Sequence, residues 1–180
     1  MYRVYIKMIM VGRKFKICLM GEPSVGKTSL IKRFVYNVFS DKYLETIGTN
    51  IYKKNLKSGG EDITLMIWDI MGHSSFRQLL STSYFFGAHA LMAVGDLTRK
   101  ETFDLLDDWV KSAKSVIEEE VPVIMLANKS DLDWSVDERY LKRIATKIGA
   151  NKYVITSAKT GEHVNDAFQI ITNLLIKRKR

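Results

Sequence analysis

Eight residues in a row, Gly21-Glu22-Pro23-Ser24-Val25-Gly26-Lys27-Thr28, have the types and spacing to hold phosphate. The two glycines let the backbone curl until successive N–H groups face one anion, and a helix opening at Gly26 adds its positive end. Gly21, Ser24, Val25, Gly26 and Ser29 would supply that cradle. Lys27 carries a charge able to reach the β- and γ-phosphates of a nucleotide. The Thr28 hydroxyl suits Mg²⁺, a cation that takes few protein ligands. Pro23 offers no N–H and fixes φ, so the loop has one donor fewer. Alone, this pattern says only nucleoside triphosphate, because kinases, ATPases and GTPases all use it.

A second group narrows the ligand. Asn128-Lys129-Ser130-Asp131 follows a short apolar run. A carboxylate accepts hydrogen bonds, and guanine presents N1–H and N2–H₂ side by side where adenine has neither. Four such residues could also be a plain Asx turn. Placed one strand after the expected helix in a phosphate-loop protein, they favour base reading.

These motifs need elements to hold them. Lys16 to Met20 reads as a strand and about Gly26 to Tyr36 as a helix. Ile51 to Leu56 and Ile63 to Trp68 flank Ser58-Gly59-Gly60 and read as an antiparallel hairpin. Leu91 to Val94, Val123 to Leu126 and Tyr153 to Thr156 are short buried strands. Thr98 to Glu101 and Ser135 to Glu138 read as capping boxes. Phe103, Leu106, Val110, Ala113 and Ile117 follow the first at helical spacing, and Leu141, Ile144 and Ile148 follow the second. Val164, Phe168, Ile171 and Leu175 line a last helix. The order βαββ(α)βαβαβα predicts an α/β fold: a six-stranded, mostly parallel sheet with one antiparallel edge strand and helices on both faces. Both motifs then fall in loops after strands, where open sheets of this class bind ligands.

From about Lys14 to Ile176 the sequence resembles the Ras-like small GTPases, and the Rab branch most closely. Trp68-Asp69-Ile70-Met71-Gly72 is similar to the family's Asp-x-x-Gly element, with a Rab-like Trp before the Asp. Ser83 to His89 and Asp96 to Phe103 are also close to Rab wording. Thr46-Ile47-Gly48 resembles the first switch, and Thr156-Ser157-Ala158-Lys159 the second base-contact loop. The resemblance implies a P-loop GTPase fold that binds GTP and GDP with Mg²⁺. It implies that Asp131 and Asn128 read guanine, that the Lys129 stem covers the base, and that the Ala158 N–H meets its oxygen, with Ser157 and Lys159 alongside. Phe39 would lie edge-on to the base. Thr46 would close on Mg²⁺ and the γ-phosphate, Asp69 would hold Mg²⁺ through water, and the Gly72 N–H would touch the γ-phosphate. Release of the Thr46 and Gly72 loops on hydrolysis would change partners. The partners implied are effectors at the two switches, an exchange factor and an activating protein, with the chain a monomer.

The chain departs from that family at three places. His73 stands where the family has the glutamine that orients the attacking water. With Lys27 and Thr46 it completes the expected catalytic set. Imidazole can accept from water, but it is shorter than the amide and differs in geometry, so hydrolysis is expected to be slow. A GTP-binding interaction module with little turnover is the competing expectation. Pro23 and Ser24 replace more flexible residues. The sequence finishes Lys177-Arg178-Lys179-Arg180 with no cysteine for lipid, so any membrane contact is expected to be weak and salt-dependent. No arginine stands in the first switch, which points to one supplied by a partner.

Composition sets outer bounds. At 180 residues the chain fits one domain. Its parts read as an extension over 1–13, a nucleotide-binding domain over 14–176 and a basic tail over 177–180. The net charge is +8, but no aromatic and basic groove pattern favours nucleic acid. No apolar run nears the roughly 18 to 20 residues that span a bilayer. Met8 to Val11 is too short for a signal peptide, and Met8 or Met10 could be the true start. The single cysteine, Cys18, sits in an apolar run and reads as a buried, inert thiol, which fits a cytoplasmic setting. Trp68, Phe85 and Phe86 read as packing residues, Trp109 and Trp134 as half-exposed ones. His89 and His163 have no metal-ligand spacing and no carboxylate partner nearby in sequence.

Overall fold

The computed structural model describes residues 12–40, 46, 48–72 and 84–178. The extension before Gly12, His73 and the second helix position expected between the hairpin and Leu91 lie outside the described residues. Strands β1 (Arg13–Met20), β2 (Thr49–Ser58), β3 (Glu61–Ile70), β4 (Ala90–Asp96), β5 (Val123–Asn128) and β6 (Lys152–Thr156) form one sheet. Its order is β2-β3-β1-β4-β5-β6. β2 runs antiparallel to β3, and the other neighbours are parallel. The fold class expected from the sequence is the one observed.

The hairpin turn shows why the residues are there. Ser58 pairs with Glu61, leaving a two-residue turn. Gly59 and Gly60 take φ of 60° and 79°, the pair of positive values such a turn requires and side chains resist.

Helices α1 (Lys27–Tyr36), α2 (Glu101–Asp104), α3 (Leu106–Lys114), α4 (Glu138–Lys147) and α5 (Val164–Arg178) cover both faces. Side-chain alternation along β1 divides the core. Phe15, Ile17 and Leu19 pack with Leu30 and Ile31 of α1 and Phe168 and Ile171 of α5. Cys18 and Met20 face the other way, toward Phe103, Leu106, Trp109 and Leu141. The Cys18 thiol is fully buried, and burial pushes it up to about 12. It is free and buried, as its apolar neighbours in sequence foretold.

Several local expectations need correction. Thr98 does not cap a helix: the cap position is Lys100, and the Thr98 hydroxyl donates to Asp96 Oδ1 at 2.7 Å, drawn to a buried carboxylate that is a strong acceptor. The Phe103–Ile117 stripe is divided at Leu105 between α2 and α3, and Ile117 lies beyond the helix. Asp137, not Ser135, caps α4 by accepting from Tyr140 N at 2.7 Å, while Ser135 Oγ donates to Leu97 O. Trp109 is 1% exposed rather than half-exposed, and Phe86 is 63% exposed rather than packed. His163 does have a carboxylate partner, Asp166 Oδ2, at 2.9 Å.

Candidate functional site

The phosphate loop, Gly72 and both base-side loops follow the carboxyl ends of β1, β3, β5 and β6, and the Thr46 segment enters β2 beside the end of β3. Around them lies a cavity of about 650 Å³. It is lined by Ser24, Gly26, Lys27, Thr28 and Ser29 from the phosphate loop, Phe39, Thr46 and Gly72, and Asn128, Lys129, Asp131, Ala158 and Lys159. Gly21, Val25, Asp69 and Ser157 stand behind its wall.

The phosphate loop is held tightly. Gly26 takes φ 98°, and a Cβ there would collide with Asn128 Nδ2. Gly21, at φ 138°, would collide with Val94 O. Neither position can carry a side chain, so loop, β4 and β5 stay in contact. Lys27 is buried, and its Nζ donates to Gly21 O and Glu22 O at 2.8 Å each. Burial lowers its ammonium to about 8, against the opposing pull of Asp69 and Glu22. A buried cation beside backbone N–H groups is poised for an anion.

Three oxygens meet beside it. Thr28 Oγ1 donates to Asp69 Oδ2 at 2.5 Å and lies 3.1 Å from Thr46 Oγ1. Asp69 is fully buried, and burial raises its carboxyl above the ordinary range despite the Thr28 hydroxyl and Lys27. Its second oxygen, Oδ1, has no partner among the described residues. A buried, unpaired carboxylate oxygen beside two hydroxyls fits a small hard cation. No trio of His, Cys, Asp and Glu among the described residues offers an alternative metal centre. Thr28, Thr46 and Asp69 therefore fit Mg²⁺, with its other ligands left for water and phosphate.

The base end is built by side chains that brace one another. Asn128 is 1% exposed. Its Nδ2 donates to Val25 O at 2.9 Å, and its Oδ1 accepts from Ala158 N at 3.1 Å. It thus ties the phosphate loop to both base-side loops. Ser157 Oγ donates to Asp131 Oδ1 at 2.6 Å and fixes that carboxylate at the cavity. Lys129 has φ 71°, a costly conformation for a side-chain-bearing residue, and its Nζ meets Asp96 Oδ2 at 2.6 Å. Arg33 of α1 donates to Ala158 O at 2.9 Å, holding the β6–α5 loop against α1.

Sequence reasoning missed Arg33, Asp96, Arg99 and Trp109 as supports of the site. None has a local signature. Trp109 Nε1 donates to Glu22 Oε1 at 2.9 Å across 87 residues, and such a contact exists only once the chain has folded.

A glycine-rich loop with Lys-Thr at the turning point of this sheet defines the P-loop class of phosphate-binding α/β proteins. The Ras family profile matches residues 16–177. The chain is 35% identical over 173 residues to Ras-related protein RabJ of Dictyostelium discoideum, covering 94% of this chain and 66% of that protein. It is 36% identical over 167 residues to Ras-related protein Rab-1 of Theileria annulata, covering 89% and 74%. The chain belongs to the Ras family of small GTPases, on its Rab branch.

Proposed function

We propose that the protein binds GTP and GDP with Mg²⁺ and works as a switch that hydrolyses GTP slowly. One arrangement carries this reading. Asp131, held by Ser157, lines one end of a cavity whose other end holds Lys27 and Thr28. Guanine at the first end donates N1–H and N2–H₂ to the carboxylate, and the phosphates reach the loop at the second. Phe39, Ala158 and Lys159 line the wall alongside.

Mg²⁺ held by Thr28, Thr46 and Asp69 would supply charge neutralisation on the phosphate oxygens. Lys27 holds a positive charge where negative charge grows on the terminal phosphate during its transfer. Thr46 and the Gly72 N–H close on that phosphate from two segments. Met71 N donates to Gly48 O at 3.2 Å, so the segments are linked and move together when it is lost. Effectors that read these segments, an exchange factor and an activating protein with an arginine are the partners this scheme requires. The basic residues at the end of α5 would make a salt-sensitive contact with anionic lipid. No helix among the described residues is long and apolar enough to cross a membrane.

His73 lies outside the described residues, and the rate claim rests on its identity. Imidazole in place of an amide orients the attacking water poorly. A binding module with almost no turnover is the second reading. It is favoured by Ile70 and Met71, bulky apolar residues that line the cavity just before Gly72.

Nucleotide content of the purified protein, with single-turnover GTP hydrolysis by wild type and His73→Gln, tests all of this. Bound GDP or GTP and faster hydrolysis by the variant are expected. Bound ADP or ATP would remove the guanine assignment. A variant no faster than wild type would remove the role given to His73.

A further inference from the structure

The phosphate loop and the base-reading loop are separated by about a hundred residues, yet one buried carboxylate connects them. Asp96, the last residue of β4, has a side chain that is 0% exposed. Its Oδ2 meets Lys129 Nζ at 2.6 Å and Arg99 Nε at 3.0 Å. The same guanidinium turns its Nη2 to Pro23 O at 2.9 Å. Oδ1 is held by Thr98 N at 3.0 Å and Thr98 Oγ1 at 2.7 Å. The Asp96 N–H donates to Thr102 Oγ1 at 2.9 Å, anchoring the corner to α2. Neither Asp96 nor Arg99 lines the cavity.

We propose that Asp96 and Arg99 are positioning residues that make the phosphate loop and the base-reading loop grip a guanine nucleotide as one unit. The inference rests on the nucleotide reading above and adds to it. Arg99 is the bridge. Its planar fork donates in two directions at once, to a carboxylate and to a backbone carbonyl, which a lysine ammonium on a flexible stem does not reproduce with the same geometry. Pro23 gives the phosphate loop no N–H, so its carbonyl is the polar backbone group through which that residue can be held. Asp96 is the hub. Burial pushes its carboxyl up, but Lys129, Thr98 and Arg99 outweigh burial and hold it below the usual range, so it stays ionised. A buried carboxylate with two cations on one oxygen fixes both cations in place. It also draws Lys129, whose stem faces the base, toward the phosphate side. Positioning of this kind is felt in how long a ligand stays, since a loosened loop raises the rate of leaving more than it changes encounter.

The test measures release of fluorescently labelled GDP, and of the matching inosine diphosphate, which lacks the 2-amino group. Wild type, Arg99→Ala, Arg99→Lys and Asp96→Asn are compared, with the melting temperature of each nucleotide-bound protein. Arg99→Ala and Arg99→Lys are expected to release both ligands about tenfold faster, the worth of one charge-assisted hydrogen bond. Their preference for GDP over inosine diphosphate stays at the wild-type ratio, because Asp131 and Ser157 are untouched. Arg99→Lys keeps the charge pair with Asp96 and melts within about two degrees of wild type, which separates bridging from folding. Asp96→Asn frees Lys129 as well, so its release is faster still and its GDP preference smaller. Wild-type release rates in both Arg99 variants would overturn the bridge and leave nucleotide binding standing. So would a melting temperature in Arg99→Lys that falls as far as in Arg99→Ala. A wild-type protein that retains neither ligand would overturn both readings together.

Discussion

The indole Nε1 of Trp109 donates to Glu22 Oε1 at 2.9 Å, joining the middle of α3 to the second residue of the phosphate loop. Trp109 is also among the largest fully buried side chains. Its replacement removes packing volume and a hydrogen bond to a carboxylate together. Trp109→Phe is expected to cost about 2 kcal/mol in stability, from the cavity and the lost bond. Urea unfolding with an unchanged m-value checks it. A loss under about 0.5 kcal/mol would mean that the indole N–H contributes nothing there.

Gly72 leaves no room for a side chain. A Cβ would stand 2.6 Å from Pro23 N and 2.8 Å from Lys27 Nζ. The backbone at Gly72 therefore packs directly against the phosphate loop and the Lys27 ammonium. Gly72→Ala is expected to bind GDP within about threefold of wild type and to lose about tenfold in GTP affinity, one charge-assisted contact. Parallel titrations of the two nucleotides check this. An equal loss for both would show that the methyl disturbs the loop itself.

The fold was legible because its cues are local. Ile17 to Met20 is an apolar run, Gly59-Gly60 can only be a tight turn, and α5 repeats its apolar residues at helical spacing. The motifs named the cavity wall for the same reason: Lys27, Thr28 and Asp131 stand in fixed local patterns. What stayed hidden depends on partners remote in sequence. Thr98 and Glu101 have the spacing of a cap, but the Asp96 carboxylate takes the hydroxyl, and nothing in the spacing reveals that Asp96 is buried. Asn128 reads as a base contact, and nothing in its local pattern shows that its amide also braces Val25 O and Ala158 N. Trp109 stands three residues after Leu106 and four before Ala113, a spacing that matches the buried face of its helix. Its bond to Glu22, 87 residues away, is what local spacing could not show.

In the proposed function, Asp131 is the carboxylate that selects the base. Ser157 Oγ already donates to one of its oxygens, which leaves the other for guanine. Asp131→Asn turns an acceptor into a group that must place an NH₂ against guanine's own donors. GDP affinity is expected to fall at least about a hundredfold, with inosine diphosphate losing less because it has no N2 donor to oppose. Competition binding with the two diphosphates measures the difference. Equal losses would assign the base preference to some other group.

Lys27 makes binding depend on pH, and the sign follows from its burial. In the folded protein its ammonium titrates near 8, against 10.5 when exposed. Between those values the unfolded chain holds a proton that the folded chain has released. Stability without ligand therefore rises with pH across that window, from about 8 to about 10.5. Phosphate reverses the balance, because a polyanion beside Nζ favours the charged form. Binding then takes up a proton above about pH 8, and affinity for GDP should fall as pH rises, approaching about tenfold per unit. Below about pH 7 this group should leave affinity flat. Titrations from pH 6.5 to about 9.5, repeated in two buffers of different ionisation enthalpy, read both the slope and the proton uptake. Affinity independent of pH across that range would mean that Lys27 is already charged in the empty loop and that burial does not weaken its hold on the proton.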